Sequence, residues 1–467
     1  MANFELSKAK SQSNDGEFDY NYFLVRLKKY SIDEKGLFLP LLDKDFDWDK
    51  WNISDYEYLY HSINAISLLA HEYTHFLDTT ATTWGTQYSY RKILVLKEKN
   101  SDKINERLDV FKLNISEIKN LHEDFIAIDT SSYEDLSFMN HHYVYDENHG
   151  AIVRIVLNYD NKKSDFVPVS MLAVNEGHAF CNEFIYKYNL CKKINNKDLR
   201  DTLYSIIDKD FVKFLNSSNL CEYNILVKLA HQYFKNHYDN ESILKIVSCI
   251  LGFALDCNDI ILGSLSYLFE NTISKENIFV GQTLTQDMRR GNSRHFAAFK
   301  LILILVEVHN QCESFRPNFD NISKGVDPLD NLLVLIEFIL KDKDDVSVSR
   351  DFVFIKEHFL ELISNSEERF KNKYIFDSIF GNHKLYEESG YVVSDLNTYK
   401  LISFILNDDT IVDLNNSIDL DVEEYFLTDL DDNFRILDLA YEDIKKFHMS
   451  PQETALSIQS LRKNLLN

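Results

Sequence analysis

Between Ser54 and Trp84 the chain runs without a proline or a glycine, the two residues that most readily break a helix. The same scarcity holds throughout. The 467 residues include 12 glycines and 5 prolines, where average usage would supply about 55 of the two together. With turn formers this rare, the expected fold is mainly α with a minor β part, an α+β class. Within 54–84, Leu59, Ile63, Ile66 and Ala70 recur at the helical period and form one apolar stripe. Ser54 as N-cap with Glu57 at N3 makes a capping box that predicts the helix start, and Trp84-Gly85 predicts its end.

This helix carries Leu68-Leu69-Ala70-His71-Glu72-Tyr73-Thr74-His75-Phe76-Leu77-Asp78, an H-E-x-x-H pattern. His71 and His75 share a helix face, with Cβ atoms about 5–6 Å apart. From that separation both imidazoles reach one tetrahedral Zn²⁺. Glu72 points beside the metal, where a general base for a metal-activated water stands. Asp78 is an acid near the helix C-terminus, where the dipole disfavours it. A bond to a ligand histidine would account for it, as would a solvated surface position.

Zinc in a hydrolase needs a third protein ligand and one open position. Glu176 is the best candidate, in Ala173-Val174-Asn175-Glu176-Gly177-His178-Ala179-Phe180-Cys181-Asn182-Glu183-Phe184. Gly177 costs a helix about 1 kcal/mol relative to Ala, which suggests that another backbone, the motif helix, approaches closely there. Glu183 lies two turns beyond Glu176 on the same face and can orient a ligand from behind. Glu123, His141 and His142 remain open as alternative ligands, though none sits in a metal-ligand pattern. His178 points elsewhere on its helix and lines a cleft or packs in the core. Tyr143, Tyr145 and His295 are candidates for holding an oxyanion.

H-E-x-x-H followed by N-E-G-x-A-x-x-x-E on a later helix resembles the gluzincin group of zinc metallopeptidases. His71, Glu72, His75, Asn175, Glu176, Gly177, Ala179 and Glu183 carry the match. The resemblance implies Glu176 as third zinc ligand, Glu72 as the group that activates water, and a zincin-like core. This chain departs from the group in two ways. About a hundred residues separate His75 from Glu176, against roughly twenty in the best-known members. The G-x-M-E-N motif of M1-type aminopeptidases is also missing, which favours an endopeptidase over an exopeptidase.

The expected organisation is a zincin-like catalytic part over 1–192, a helical region over 193–345 forming a second cleft wall, and a helical, acidic C-terminal lobe over 346–467. Phe18–Tyr30 reads as one or two strands, and Leu37–Leu42 as a short extended piece broken by Pro40. Residues 88–128 read as one or two helices. His142–Tyr145 and Ala151–Leu157, joined by Glu147-Asn148-His149-Gly150, form a hairpin that could present an edge to an extended peptide. From 195 to 341 the pattern is helical, with Asp327-Pro328 opening one helix. Lys341–Asp345 is a charged break, a helix follows around 352–363, and the chain from about 381 is acidic.

A net charge of −24 argues against nucleic acid and anionic membranes as partners, since both demand a basic surface. The start Met1-Ala2-Asn3-Phe4-Glu5 lacks signal-peptide character. Cys181, Cys191, Cys221, Cys249, Cys257 and Cys312 show no framework spacing and read as reduced thiols. The expectation is therefore a cytoplasmic zinc peptidase acting on polypeptide. The rival is a non-enzymatic interaction protein or a degenerate zincin-like scaffold. Oligomeric state is not legible here.

Overall fold

The computed structural model describes residues 15–20, 24–43, 45–88, 133–146, 150–160, 164–217, 220–273, 278–340 and 373–412. These are mostly helical, with two small sheets. All but Tyr88 of the helices expected over 88–128, the helix expected around 352–363, the charged break at 341–345 and the acidic stretch beyond 412 lie outside the described residues.

The first strand pair is β1 (Gly16–Asp19) and β2 (Leu24–Leu27), antiparallel with Gly16 opposite Leu27. Leu37–Leu42 is helical rather than extended. Ser31 and Glu34 form a capping box ahead of α1 (Lys35–Phe38), and a 3-10 turn follows over Leu39–Leu42. Pro40 fits a helical opening because the early N–H groups there lack partners in any case.

The motif helix is α2 (Tyr56–Ala81). Its capping box lies two residues earlier than the sequence suggested: Asn52 pairs with Asp55 around a 3-10 turn over Ile53–Asp55, and Asn52 N donates to Asp55 Oδ2 at 2.8 Å. From Ala65 to Ala81 every residue is buried. The helix is thus a central core element covered on all sides, not a surface helix with a single buried stripe. It stops at Thr82, whose backbone is extended, and a further helical turn covers residues 83–88. Gly85 permits that reversal, since a Cβ there would collide with the Asp78 and Thr79 carbonyls.

The predicted hairpin is present and longer than expected. β3 (Leu136–Asp146) and β4 (Gly150–Tyr159) pair antiparallel, and β5 (Ser164–Pro168) adds a third strand. Residue Ser170 then caps α3 (Met171–Lys192), its hydroxyl accepting from Ala173 N. The helical region follows as α4 (Lys197–Asn216), α5 (Cys221–Phe234), α6 (Asn240–Asp256), α7 (Asp259–Glu270), α8 (Ile278–Arg289), α9 (Arg294–Gln311), α10 (Arg316–Lys324) and α11 (Pro328–Leu340). Pro328 occupies the first position of α11, as predicted.

α3 is the hub, packing along α2 on one side and against α5 and α6 on the others. The close approach at Gly177 comes from α5 and α6, not from the motif helix. A Cβ there would meet the Tyr223 carbonyl at 3.3 Å and Leu251 Cδ1 at 3.6 Å.

Residues 373–412 return to the N-terminal part. α12 (Lys373–Glu388) packs on α2, and β6 (Phe404–Leu406) runs parallel to β2, with Val25 opposite Phe404. β7 (Ile411–Val412) closes the sheet in the order β1-β2-β6-β7. No single helix among the described residues is long and apolar enough to cross a membrane.

Candidate metal centre

α2 and α3 each contribute one face to a shared buried site. The Nε2 atoms of His71 and His75 both lie 3.4 Å from the same oxygen, Oε2 of Glu176. A tetrahedral ion with ligand bonds of about 2.0–2.1 Å holds adjacent donor atoms about 3.3–3.4 Å apart. Those two separations therefore match the edges of a zinc polyhedron. Beyond these contacts with one another, His71 Nε2, His75 Nε2 and both Glu176 carboxylate oxygens make no hydrogen bond, although all are buried. Buried polar atoms without partners are costly, and a cation at their centre would satisfy all three side chains at once. His71, His75 and Glu176 are the one set among the described residues arranged this way.

The ring nitrogens facing away from that centre each lie against a polar group. His71 Nδ1 lies 3.2 Å from Glu183 Oε2, and Glu183 is itself paired with Lys187 Nζ at 2.8 Å. His75 Nδ1 lies 3.0 Å from the hydroxyl of Tyr20. A group bound at Nδ1 fixes the tautomer that leaves Nε2 free to coordinate. Glu72 is buried beside His71, and its carboxyl group faces Gly16 of β1.

The electrostatics are those of a place built for positive charge. Burial pushes the His71 pKa down, but Glu176, Glu183 and Glu72 outweigh it and hold the ring up at about 10. Burial likewise raises Glu176, and the two histidines pull it down to about 2. Glu183 behaves alike: burial raises it, while Lys187 and His71 draw it to about 2. Burial, with Glu176, Asp78 and Glu72 nearby, drives Tyr20 well above its ordinary range, so its hydroxyl keeps its proton. Several carboxylates converge on two imidazoles, and a cation there relieves their repulsion.

Against known proteins, no family model matches the chain, and no curated protein or solved structure is significantly similar to it.

Asp78 is neither solvated nor bonded to a candidate ligand. It is fully buried, both its oxygens lie 3.0 Å from His178 Nδ1, and it accepts from Tyr386 OH at 2.9 Å. His178 is consequently a core residue. Its Nε2 lies 3.0 Å from Ser248 Oγ and 3.1 Å from the Tyr391 carbonyl. Asp78, His178 and Ser248 have the composition of a hydrolytic triad, but Ser248 is fully buried and its hydroxyl donates to the Tyr391 carbonyl. The network joins α2, α3 and α6 to residues 386–391 and serves to hold them.

The other candidates lie elsewhere. His141 packs on Phe299 with ring centroids 5.1 Å apart, Tyr143 on Phe296 at 6.2 Å, and Tyr145 on Phe279 at 5.7 Å. The hairpin is thus seated on α8 and α9, and the strands lying on the motif helix are β1 and β2. His142 is on the opposite, exposed face of β3. Burial lowers both His141 and His295 to about 4, Lys300 contributing at His141, so both rings are neutral. Glu123 lies outside the described residues.

Sequence reasoning missed Tyr20, which has no periodic relation to His75, 55 residues away. It also did not single out Asn175 beyond the motif. That side chain is buried, and neither amide atom is hydrogen-bonded.

Proposed function

We propose that this chain is a zinc-dependent peptidase of the gluzincin type, hydrolysing bonds within polypeptides, with His71, His75 and Glu176 as metal ligands and Glu72 as general base. One observation carries the reading: Glu176, about a hundred residues from the H-E-x-x-H pattern, brings one carboxylate oxygen to 3.4 Å from both Nε2 atoms. Zn²⁺ in such a site supplies Lewis acidity, acidifying water toward a pKa of about 7 and polarising a carbonyl.

The protein's own part follows from position. Glu72, one residue from a ligand, takes the proton of the attacking water and delivers it to the departing amine. Glu183 holds the His71 imidazole in its metal-binding orientation, and Tyr20 holds that of His75 while β1 is in place. The low-dielectric surroundings strengthen each of these interactions. All six cysteines are free, which fits a reducing, cytoplasmic setting. The acidic surface fits a polypeptide substrate rather than nucleic acid.

Full burial of Glu72 and all three ligands favours a second reading, a metal site that stabilises the fold without catalysis. The two separate cleanly. Purified wild type should hold one zinc per chain by elemental analysis and cleave an unfolded protein in a chelator-sensitive reaction. Glu72→Gln should keep the metal and lose cleavage. Zinc without cleavage in the wild type supports the structural site, and protein that takes up no zinc removes both readings.

A further inference from the structure

Strand β1 covers one side of the buried site. All of Gly16–Asp19 is buried, which is unusual for an edge strand. It lies over the metal-site face of α2. At Gly16 even a Cβ would collide with Glu72 Oε1 and stand 3.0 Å from its Cδ and Cγ, so the backbone rests directly on the proposed base. Two residues on, Phe18 stacks on the His75 ring, with centroids 6.3 Å apart and planes 21° apart, and meets Phe76 edge-on. β1 is extended and pairs antiparallel with β2, from Gly16 opposite Leu27 to Asp19 opposite Leu24. A peptide bound by strand addition has this form: main-chain bonds to a sheet edge, with alternate side chains seated in specific places.

We propose that β1 fills the groove that takes the substrate, so that the chain is held inactive by its own N-terminal strand. The inference rests on the zinc-peptidase reading and deepens it. Its substrate class is an extended polypeptide with a glycine or similarly small residue against Glu72 and an aromatic side chain two positions later against His75. Hydrolysis requires β1 to leave β2, exposing both the β2 edge and the metal.

The test compares full-length wild type, Gly16→Ala and Phe18→Ala, each loaded with zinc and checked for a cooperative thermal transition. Gly16→Ala sets a methyl against the Glu72 carboxyl group and crowds the strand there, and Phe18→Ala removes its anchor on His75, so the two variants loosen β1 by independent means. Zinc loss to a chromogenic chelator should rise about tenfold or more in each variant, and cleavage of an internally quenched peptide with the sequence of residues 14–21 should rise as much in Phe18→Ala, which leaves Glu72 untouched. Excess unlabelled 14–21 peptide should slow zinc loss again by occupying the vacated groove. Chelation and cleavage rates equal to or below wild type in both folded variants would overturn the strap while leaving the zinc site intact. Wild type that binds no zinc fails the underlying reading instead, and the strap falls with it.

Discussion

Glu183 Oε2 stands 3.2 Å from His71 Nδ1, on the side of the ring away from Glu176. The two glutamates belong to one helix, seven residues apart, and so grip the same imidazole from both nitrogens. A carboxylate behind a ligand histidine raises its basicity and fixes its orientation. Glu183→Gln should therefore weaken zinc binding by about 10–100-fold without removing a ligand, as measured by competition with a chelator of known affinity. Unchanged affinity would reduce Glu183 to an ordinary partner of Lys187.

Lys300 is 5% exposed, and no carboxylate among the described residues pairs with it. Burial lowers its pKa from 10.5 to about 8. The sign follows from proton counting. Between about 8 and 10.5 the unfolded chain binds a proton that the folded one does not, so stability rises with pH across that window. The burial penalty is fully in force below about 8 and absent above 10.5. Lys300→Met should accordingly stabilise the protein at pH 7 by about 1–3 kcal/mol. It should also flatten the rise between pH 8 and 10.5 in urea unfolding.

Asp78 holds His178 and Tyr386 together at the centre of the molecule. Asp78→Ala leaves a buried imidazole and a buried hydroxyl without their acceptor, at a cost of about 3–5 kcal/mol. Tyr386→Phe should cost about 1 kcal/mol. Because both act on one network, the double variant should lose less than the sum of the two. Denaturant unfolding of the three proteins checks this, and strict additivity would show that the tyrosine acts elsewhere.

What the sequence made legible was periodic or local. Residues 56–81 and 171–192 announce themselves as helices, and the spacing of His71 and His75 places both rings on one face. Glu176 could be singled out because it sits in a short pattern of its own. Pro40 misled because proline is compatible with both an extended piece and a helix opening. Gly177 signalled a close approach but not its source: the expected neighbour is the motif helix, and the actual one is the Tyr223 carbonyl. Tyr20 on His75 and Asp78 on His178 depend on how distant segments pack. No spacing in a single chain encodes such meetings.

The pairing of Val25 with Phe404 also bears on the order in which the molecule is made. Closing a chain segment of that length costs about 5 kcal/mol in loop entropy, and contacts so distant in sequence form late. During synthesis β2 leaves the ribosome hundreds of residues before the strand that completes its sheet, while domains tend to fold from the N-terminus as they emerge. α2 and α3 themselves are both made by residue 192, so they can pair with each other before the later helices and β6 exist. Maturation thus has two stages: the histidines and Glu176 come together early, and the strands beside them lock only once residues 404–406 have been made.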